Sequence, residues 1–568
     1  MIHLVVLASL CGLAVMPFFS WGNPSGHDFE FHMYSWMEVL AQWQQGIVYP
    51  RWAALAHWGY GEARFLFYPP SSWMVGAALG AILPWKIVPG TYCWIVLTGA
   101  GASMYALARQ WLRRSDALFA AAFYAVNPYH LLIVYWRSAY AELLGAILMP
   151  LSLLCLLKLK QDGSRPILWL SLTLAGAWLA NVPAAVMIHY SVAGLAGVMA
   201  VQERSARLLF RTALAVLMGA GLASFFLVPA IYEQSWVNIA ELLSPGVMPQ
   251  DNFLFTMTAN ADHNRFNLLV SLVASSEIAA LVLVAWLARR SENKNNGEDR
   301  GNRLRIEGNR FNEDRLDRLP WTLLACWGAA TAFVMFPISN VLWEHLPKFR
   351  FVQLPFRWLL CLNASMAVLL AVATRQSWPR SAVKAWSARA VACAFLLTVL
   401  LMAGHRVQPP WWDQSGDIQE MTDAISDQTG YEGTDEYVPV AADPYEVNKD
   451  LRQVSDENGS PINVRKMEWG ANEKRFDMHA DLPENLTMRL FNYPAWKVTV
   501  NGKPTQTQTS EVTGLMIIPV KAGENEVRVS FTRTGDCLAG EIISVMSLCV
   551  FWVVWIKTRS HRAGRRAV

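Results

Sequence analysis

The sequence predicts a polytopic α-helical membrane protein that carries a β-rich domain near its C-terminus. Of its 568 residues, 54% are hydrophobic and 16% are charged, whereas about 25% of the residues of an average soluble protein are charged. The apolar residues form long runs separated by short polar connections, as in chains that cross a bilayer repeatedly. This hydrophobic load excludes a soluble enzyme and a nucleic-acid-binding protein.

Basic residues concentrate in six connections between the apolar runs, and the positive-inside rule predicts that all six are cytoplasmic. The first run has no Lys or Arg before it and no small-x-small cleavage site, so we interpret it as a retained helix with a cytoplasmic N-terminus. The apolar segment 71–83 is too short for a crossing of roughly 20 residues. A crossing there would place every later basic loop on the outer side of the membrane, so we predict a re-entrant or juxtamembrane half-helix on the outer side. About twelve crossings result: 2–20, 88–108, 116–134, 141–158, 166–182, 184–201, 208–231, 267–288, 320–338, 356–373, 388–404 and 538–556.

The segment 405–537 lacks long apolar runs, and residues 405–536 hold 13 Lys and Arg against 22 Asp and Glu. Its second half alternates apolar and polar residues, and Asn501-Gly502 is typical of a hairpin turn. We therefore predict an antiparallel, sandwich-like β-domain outside the membrane, with an irregular first part at 405–460. The predicted domains are a transmembrane domain 1–404 with a first outer loop 21–87, a β-domain 405–537, and a final helix with a basic tail 538–568. The mixed-charge loop 289–318 is predicted to be a flexible connector.

The first outer loop opens with two acids and two histidines, at His27, Asp28, Glu30 and His32. On an extended segment the two carboxylates would share a face, whereas on a helix they would diverge. Such a pair suits a general base for an acceptor hydroxyl, or a site for a divalent cation such as Mg²⁺ or Mn²⁺, with the histidines assisting. The alternative is a solvated loop in which Asp28 caps a helix over 29–43.

Three further ionisable residues lie at the edges of predicted crossings. Arg137 and Glu142 fall between two apolar helices, where ionisable residues are costly unless they are paired or functional. A structural ion pair explains them equally well. Arg357 follows a proline at the start of a helix, where its planar fork suits a phosphate group. The alternative for Arg357 is a side chain that merely extends to the membrane interface.

Six motifs draw on aromatic, proline and charged residues: Asp-Phe-Glu-Phe-His at 28–32, Gly-Ile-Val-Tyr-Pro-Arg-Trp at 46–52, Gly-Tyr-Gly at 59–61, Phe-Tyr-Pro-Pro at 67–70, Asn-Pro-Tyr at 127–129 with Arg137 and Glu142, and Gln-Leu-Pro-Phe-Arg at 353–357. Together these motifs resemble a bacterial membrane-protein family described as 6-pyruvoyl-tetrahydropterin synthase-related, which is similar to YfhO-like and other GT-C type glycosyltransferases. The segment Asn-Tyr-Pro-Ala-Trp-Lys at 492–497 resembles the outer β-domain of YfhO-like proteins. No soluble pterin-binding domain accompanies them.

The resemblance implies a GT-C-like fold in the bacterial inner membrane, with the β-domain on the periplasmic side. It implies a glycosyltransferase that moves a hexosyl or pentosyl group from a polyprenyl-phosphate donor to a glycan or lipid acceptor. Asp28 would be the catalytic base or metal ligand, with Glu30 second. The residues that would bind substrate are His27, His32, Tyr68, Arg137, Glu142 and Arg357.

Two alternatives remain open at this point. The first is a transporter or flippase for a lipid-linked glycan, which would use the same groove and cations without chemistry. No internal repeat of the kind common in transport folds is evident. The second is a non-catalytic envelope-assembly protein whose β-domain binds a partner. For that protein, replacing Asp28 would have no effect on function.

Overall fold

The computed structural model describes residues 2–161, 163–298, 321–376 and 382–564. Its helical part packs long apolar helices around a common core. The described α-helices of five or more residues are Ile2–Ala14, Met16–Ser20, Phe29–Gln44, Pro70–Gly80, Val88–Ala108, Arg114–Ala125, Pro128–Leu132, Tyr140–Lys158, Arg165–Ala180, Val182–Glu203, Arg207–Leu222, Ser224–Tyr232, Ala261–Glu298, Trp321–Phe333, Asn340–His345, Leu359–Gln376, Ala382–Val407, Ser415–Ser426 and Gly535–Gly564.

Within the described residues, eight helices are long and apolar enough to cross a membrane, and the number is ten if each of two bent pairs is one crossing. The predicted number of about twelve is therefore not confirmed. The predicted crossing 2–20 is divided between Ile2–Ala14 and Met16–Ser20, and the one at 166–182 is the 16-residue helix Arg165–Ala180. Most of the predicted connector 289–318 lies outside the described residues, and its first part continues the helix Ala261–Glu298.

The apolar segment 71–83 forms the short helix Pro70–Gly80, as the sequence predicts. Eleven residues give a helix about 16 Å long, roughly half the thickness of a bilayer's hydrocarbon core. This helix packs against Phe29–Gln44, where Gly76 lies directly on the ring of Trp36. A half-helix is thus held beside the first helix of the outer loop.

The predicted β-rich segment contains two antiparallel sheets. Eleven strands are described in the chain: β1 Asn23–Pro24, β2 Trp412–Asp413, β3 Val454–Ser455, β4 Val464–Trp469, β5 Glu473–Ala480, β6 Glu484–Phe491, β7 Trp496–Val500, β8 Lys503–Thr505, β9 Gln508–Thr509, β10 Leu515–Val520 and β11 Gly523–Phe531. One sheet has the order β3-β6-β10-β9, and the other has the order β4-β5-β11-β7-β8. Asn501 and Gly502 both have positive φ and join β7 to β8 in the predicted hairpin.

The two sheets share one apolar core with the segment 21–87, which the sequence predicts to be the first outer loop. Trp52 of that loop is fully buried and contacts Tyr493, Trp496 and Phe531 of the β-rich segment. A further link is the pairing of β1, at the beginning of the loop, with β2. The β-rich segment is therefore packed on the loop that carries Asp28.

The prediction of an irregular segment at 405–460 is wrong for the helix Ser415–Ser426. The Asp417 carboxylate accepts a hydrogen bond of 2.6 Å from the Gln414 N–H and so closes the first turn. Ile418 and Met421 are buried one turn apart on the face toward Phe29–Gln44. Ile425 extends the same apolar face and is partly buried, but polar residues fill most of the helix, so composition alone did not predict it.

Candidate functional site

The segment before Asp28 is held against a distorted turn in the neighbouring helix pair. Residues Ile133–Arg137 form a π-helical turn, which ends at Ser138 in a left-handed conformation with φ +50°. The Ser138 hydroxyl accepts a hydrogen bond from the Gly26 N–H at 3.0 Å and donates one to the Pro24 carbonyl at 2.8 Å. The Asp28 N–H donates to the Arg137 carbonyl at 2.9 Å. Backbone contacts therefore fix Asp28 beside Arg137.

Asp28 occupies the N-cap position of the helix Phe29–Gln44, but its side chain makes no capping hydrogen bond. Its carboxylate instead faces Arg137, with 4.0 Å between Oδ2 and Nη2, and 38% of the side chain is exposed. Glu30 lies in the first helical turn and is exposed. The two acids are therefore not neighbours on one extended face, and Asp28 alone reaches the arginine.

Glu142 lies at the centre of a buried ionic cluster. Its Oε2 accepts hydrogen bonds from Arg137 Nη1 at 2.5 Å and from Arg357 Nε at 3.0 Å. Its Oε1 accepts one of 2.5 Å from the Tyr129 hydroxyl. The two arginines are 2% and 8% exposed, and Glu142 is 1% exposed. With Asp28 the cluster has two positive and two negative charges, so it is balanced before any ligand binds.

Arg357 enters this cluster from a strained connection. Gln353 has φ +62°, a conformation that an L-residue rarely adopts. Arg357 Nη1 donates to the Val352 carbonyl at 2.7 Å and to Gln353 Oε1 at 3.0 Å. Within the described part of the chain, Nη2 of Arg357 has no hydrogen-bond partner. One donor of a fixed guanidinium thus remains for an anionic ligand.

His32 and Tyr68 lie on the apolar side of Asp28. The His32 ring is 1% exposed and packs between Tyr68 and Tyr140, with centroid distances of 6.0 Å and 5.2 Å. Burial lowers the pKa of His32 to about 4, and the nearby Asp28 carboxylate opposes this shift without cancelling it. Burial also raises the pKa of Tyr68 well above 10. Both side chains are therefore neutral near pH 7.

The remaining predicted site residue, His27, is exposed and stacks edge-on against Phe266 with a centroid distance of 4.6 Å. The structure thus brings Asp28, Arg137, Glu142 and Arg357 into one chain of contacts. His32 and Tyr68 flank that chain, and Glu30 and His27 lie outside it. Sequence reasoning did not assign Tyr129 a role, although the Asn-Pro-Tyr motif contains it. The available signal was the place of Tyr129 in that motif, which the resemblance groups with Arg137 and Glu142.

Asp28 and Glu30 do not fit a preformed site for Mg²⁺ or Mn²⁺. The Arg137 guanidinium competes for the Asp28 carboxylate. Among the described residues, no third carboxylate, histidine or cysteine joins these two acids as a ligand group. Such cations prefer several oxygen ligands. The cation role of the two acids stays a prediction.

The arrangement places a potential proton acceptor beside potential anion-binding groups. A half-exposed carboxylate can accept a proton from a hydroxyl that approaches from the open side. Behind it, the two guanidiniums share the Glu142 carboxylate, and the Nη2 of Arg357, which has no partner among the described residues, is a donor that suits a phosphate. Because Arg137 contacts both carboxylates, the proton acceptor and the anion-binding groups are held in one unit.

A family model described as "6-pyruvoyl-tetrahydropterin synthase related domain; membrane protein" matches residues 65–407. No curated protein sequence matches the chain. Solved structures with similarity include the arabinofuranosyltransferase AftD from Mycobacteria, at 15% identity and a TM-score of 0.41, over 74% of this chain and 28% of AftD. This chain therefore spans less than a third of that protein.

Two other solved structures are similarly remote. ArnT from Cupriavidus metallidurans, bound to undecaprenyl phosphate, has 11% identity and a TM-score of 0.38, over 75% of this chain and 69% of ArnT. The Archaeoglobus fulgidus oligosaccharyltransferase AglB, with an inhibitory peptide and a dolichol-phosphate, has 12% identity and a TM-score of 0.40, over 76% of this chain and 56% of AglB. The family match covers more than half of the sequence. The chain therefore belongs to the 6-pyruvoyl-tetrahydropterin synthase-related family of membrane proteins.

Proposed function

We propose that this protein is a GT-C type glycosyltransferase that moves a sugar from a polyprenyl-phosphate donor to a cell-envelope acceptor on the outer face of the inner membrane. The observation that carries the proposal is the contact of a half-exposed Asp28 with the buried cluster of Arg137, Glu142 and Arg357. Transfer from a lipid phosphate needs a base and phosphate-binding cations at the same place.

In the proposed reaction the acceptor oxygen attacks the anomeric carbon of the donor sugar. A new C–O bond forms as the bond between that carbon and the phosphate oxygen breaks, and the electron pair leaves with the polyprenyl phosphate. Asp28 takes the proton of the acceptor hydroxyl. Arg137 and Arg357 stabilise the charge that develops on the leaving phosphate, Arg357 through the Nη2 that has no partner among the described residues.

The flanking residues have supporting roles in this proposal. Glu142 orients both guanidiniums, since each donates a hydrogen bond to the same carboxylate oxygen. His32 and Tyr68 form the neutral, apolar wall that excludes water beside the base. His27 and Glu30 lie on the exposed side, where an acceptor would enter. The proposal does not include a pterin synthase activity, although the family's description contains that term.

The test compares host cells that lack the protein, cells that carry it, and cells that carry the Asp28→Asn variant. The assay is mass spectrometry of polyprenyl-linked sugars, with a membrane-impermeant oxidant to report which face of the membrane they occupy. We expect Asp28→Asn to reproduce the deletion, with donor accumulating on the outer face. Accumulation on the inner face would indicate a flippase. Normal lipid-sugar levels in the Asp28→Asn cells would indicate an assembly protein without chemistry.

A further inference from the structure

A cleft lies between the C-terminal half of the helix Phe29–Gln44, the helix Ser415–Ser426 and the β-rich segment. Its volume is about 490 Å³, which is within the range of small-ligand sites. Lys474 and Glu38 lie in its wall and are 2% and 1% exposed. We call it the Lys474 cleft. The helix rises about 15 Å between Asp28 and Glu38, so the cleft is separate from the ionic cluster.

The charges of the Lys474 cleft are unbalanced. Glu38 is fully engaged, because it accepts hydrogen bonds from the Tyr431 hydroxyl at 2.6 Å, from the Leu55 N–H at 3.2 Å and from Gln42 Nε2 at 3.2 Å. Lys474 and Arg489 form no ion pair with a carboxylate within the residues that the structure describes. Among those residues, Lys474 and Arg489 thus lack an anionic partner beside a polar cavity, where an unpaired charge is costly.

The Lys474 amine is held in place by a backbone carbonyl and an aromatic ring, and no carboxylate among the described residues is in direct contact with it. It donates to the Gly470 carbonyl at 3.2 Å and lies 4.5 Å from the centre of the Trp496 ring. Burial lowers the pKa of Lys474 to about 7, with Glu38 opposing the shift. The Arg489 Nε and the Gln42 Oε1 are buried and have no hydrogen-bond partner in the part of the chain that the structure describes. Buried polar atoms of this kind normally have a partner, so these unmet atoms indicate a ligand.

The rest of the lining favours a saccharide over a lipid. Five carboxamides line the cavity, and carboxamides supply both donors and acceptors, which suits a ligand rich in hydroxyl groups. Gln42 offers its Oε1 alone, because its Nε2 already donates to Glu38 and to the Trp52 carbonyl. Trp85 and Trp469 add aromatic faces, on which the C–H face of a sugar ring can pack. A lipid would instead need an apolar channel beside its headgroup for the hydrocarbon chain. The five carboxamides belong to Gln42, Gln44, Gln45, Gln428 and Gln453.

We propose that the Lys474 cleft binds an acidic saccharide chain, as the part of the acceptor that lies remote from the reacting hydroxyl. Lys474 and Arg489 would pair with its carboxylate or phosphate groups, and the carboxamides would bind its hydroxyls. The identification of this saccharide as the acceptor rests on the proposed function, whereas the binding of an acidic saccharide does not. The separation from Asp28 implies a chain of several sugars and not a single one.

The test measures binding by calorimetry to the full-length protein in lipid nanodiscs. The probes are tetragalacturonate and its methyl ester, which has the same backbone without the charges. We expect tetragalacturonate to bind and the ester to bind at least 10-fold more weakly. Lys474→Met should weaken tetragalacturonate binding about 10-fold, and Arg489→Gln gives a second variant if Lys474→Met does not fold. The matched control is Lys497→Met, because Lys497 is exposed on the same sheet.

The proposal is overturned if tetragalacturonate does not bind, if the two probes bind equally, or if both cleft variants bind as the wild type does. Competition by undecaprenyl phosphate would also overturn it, since that result assigns the cleft to a lipid phosphate. Asp28→Asn should bind tetragalacturonate normally. If it does so and also retains transfer, the proposed function fails while the Lys474 cleft remains a saccharide site.

Discussion

The position of Asp28 depends on the absence of a side chain at Gly26, and Gly26→Ala tests that dependence. A Cβ at residue 26 would lie 2.5 Å from the carbonyl carbon of Arg137, 2.6 Å from the Trp136 oxygen and 2.7 Å from the Ser138 nitrogen. All three atoms belong to the backbone of the π-turn, so no side chain can rotate away. Ordinary contacts begin at 3.4 Å, so the loop must separate from the turn by about 0.9 Å.

A displacement of this size acts on catalysis through geometry. Moving a catalytic group by about 1 Å can cost about 100-fold in rate, or about 2.7 kcal/mol in the barrier. We therefore expect Gly26→Ala to lower the transfer rate about 100-fold without changing the charges of the cluster. The assay follows consumption of lipid-linked sugar, extracted from cells that lack the protein, by the purified protein in proteoliposomes.

The matched control is Gly416→Ala, because a Cβ at that position meets nothing within 4 Å. The control should keep both the wild-type rate and the wild-type melting temperature. A melting measurement on Gly26→Ala shows whether the fold is retained. A Gly26→Ala protein that transfers at the wild-type rate would refute the idea that the contact between residues 26 and 137 positions the base.

Two further predictions concern the buried groups around the base. Glu142→Gln leaves the guanidiniums of Arg137 and Arg357 buried without their shared carboxylate, so we expect a loss of about 3–5 kcal/mol in the free energy of unfolding. A denaturant titration that gives the wild-type free energy of unfolding would contradict the buried cluster. For His32, burial lowers the pKa from 6.5 to about 4, so the unfolded chain binds more protons between these values and stability falls as the pH falls. Between pH 6.5 and 5 the loss is about 2 kcal/mol, and His32→Phe should show a smaller loss over that interval. An unchanged pH dependence in that variant would show that His32 is not the responsible group.

The features of the fold that follow from local pattern were predicted from the sequence. The helix Pro70–Gly80 is short because its apolar run is short, and positive-inside counting already required a half-helix there. The β7–β8 hairpin follows from Asn501-Gly502, since two consecutive positive φ angles suit these residues. The helix Ser415–Ser426 was missed because most of its residues are polar.

The convergence at the site could not be predicted from pattern. Arg137 and Glu142 are close in sequence, and their pairing was one of two interpretations. Arg357 lies 215 residues from Glu142, and no periodicity relates the two. The family resemblance placed Asp28 and Arg357 in one reaction, but only the fold shows that Arg137 links Asp28 to the shared carboxylate of Glu142. The predicted number of about twelve crossings stays unconfirmed, since hydropathy does not report where a helix bends and two apolar segments bend within the described residues.

The most direct measurement of the central claim is single-turnover transfer by purified wild-type protein and Asp28→Asn in proteoliposomes, with donor binding measured in parallel. A positioned general base contributes about 10²–10⁴-fold to the rate. We predict that Asp28→Asn loses a factor in this range and binds the lipid-linked donor as tightly as wild type, since the arginines remain. Wild-type transfer by Asp28→Asn would contradict the assignment of Asp28 as the base.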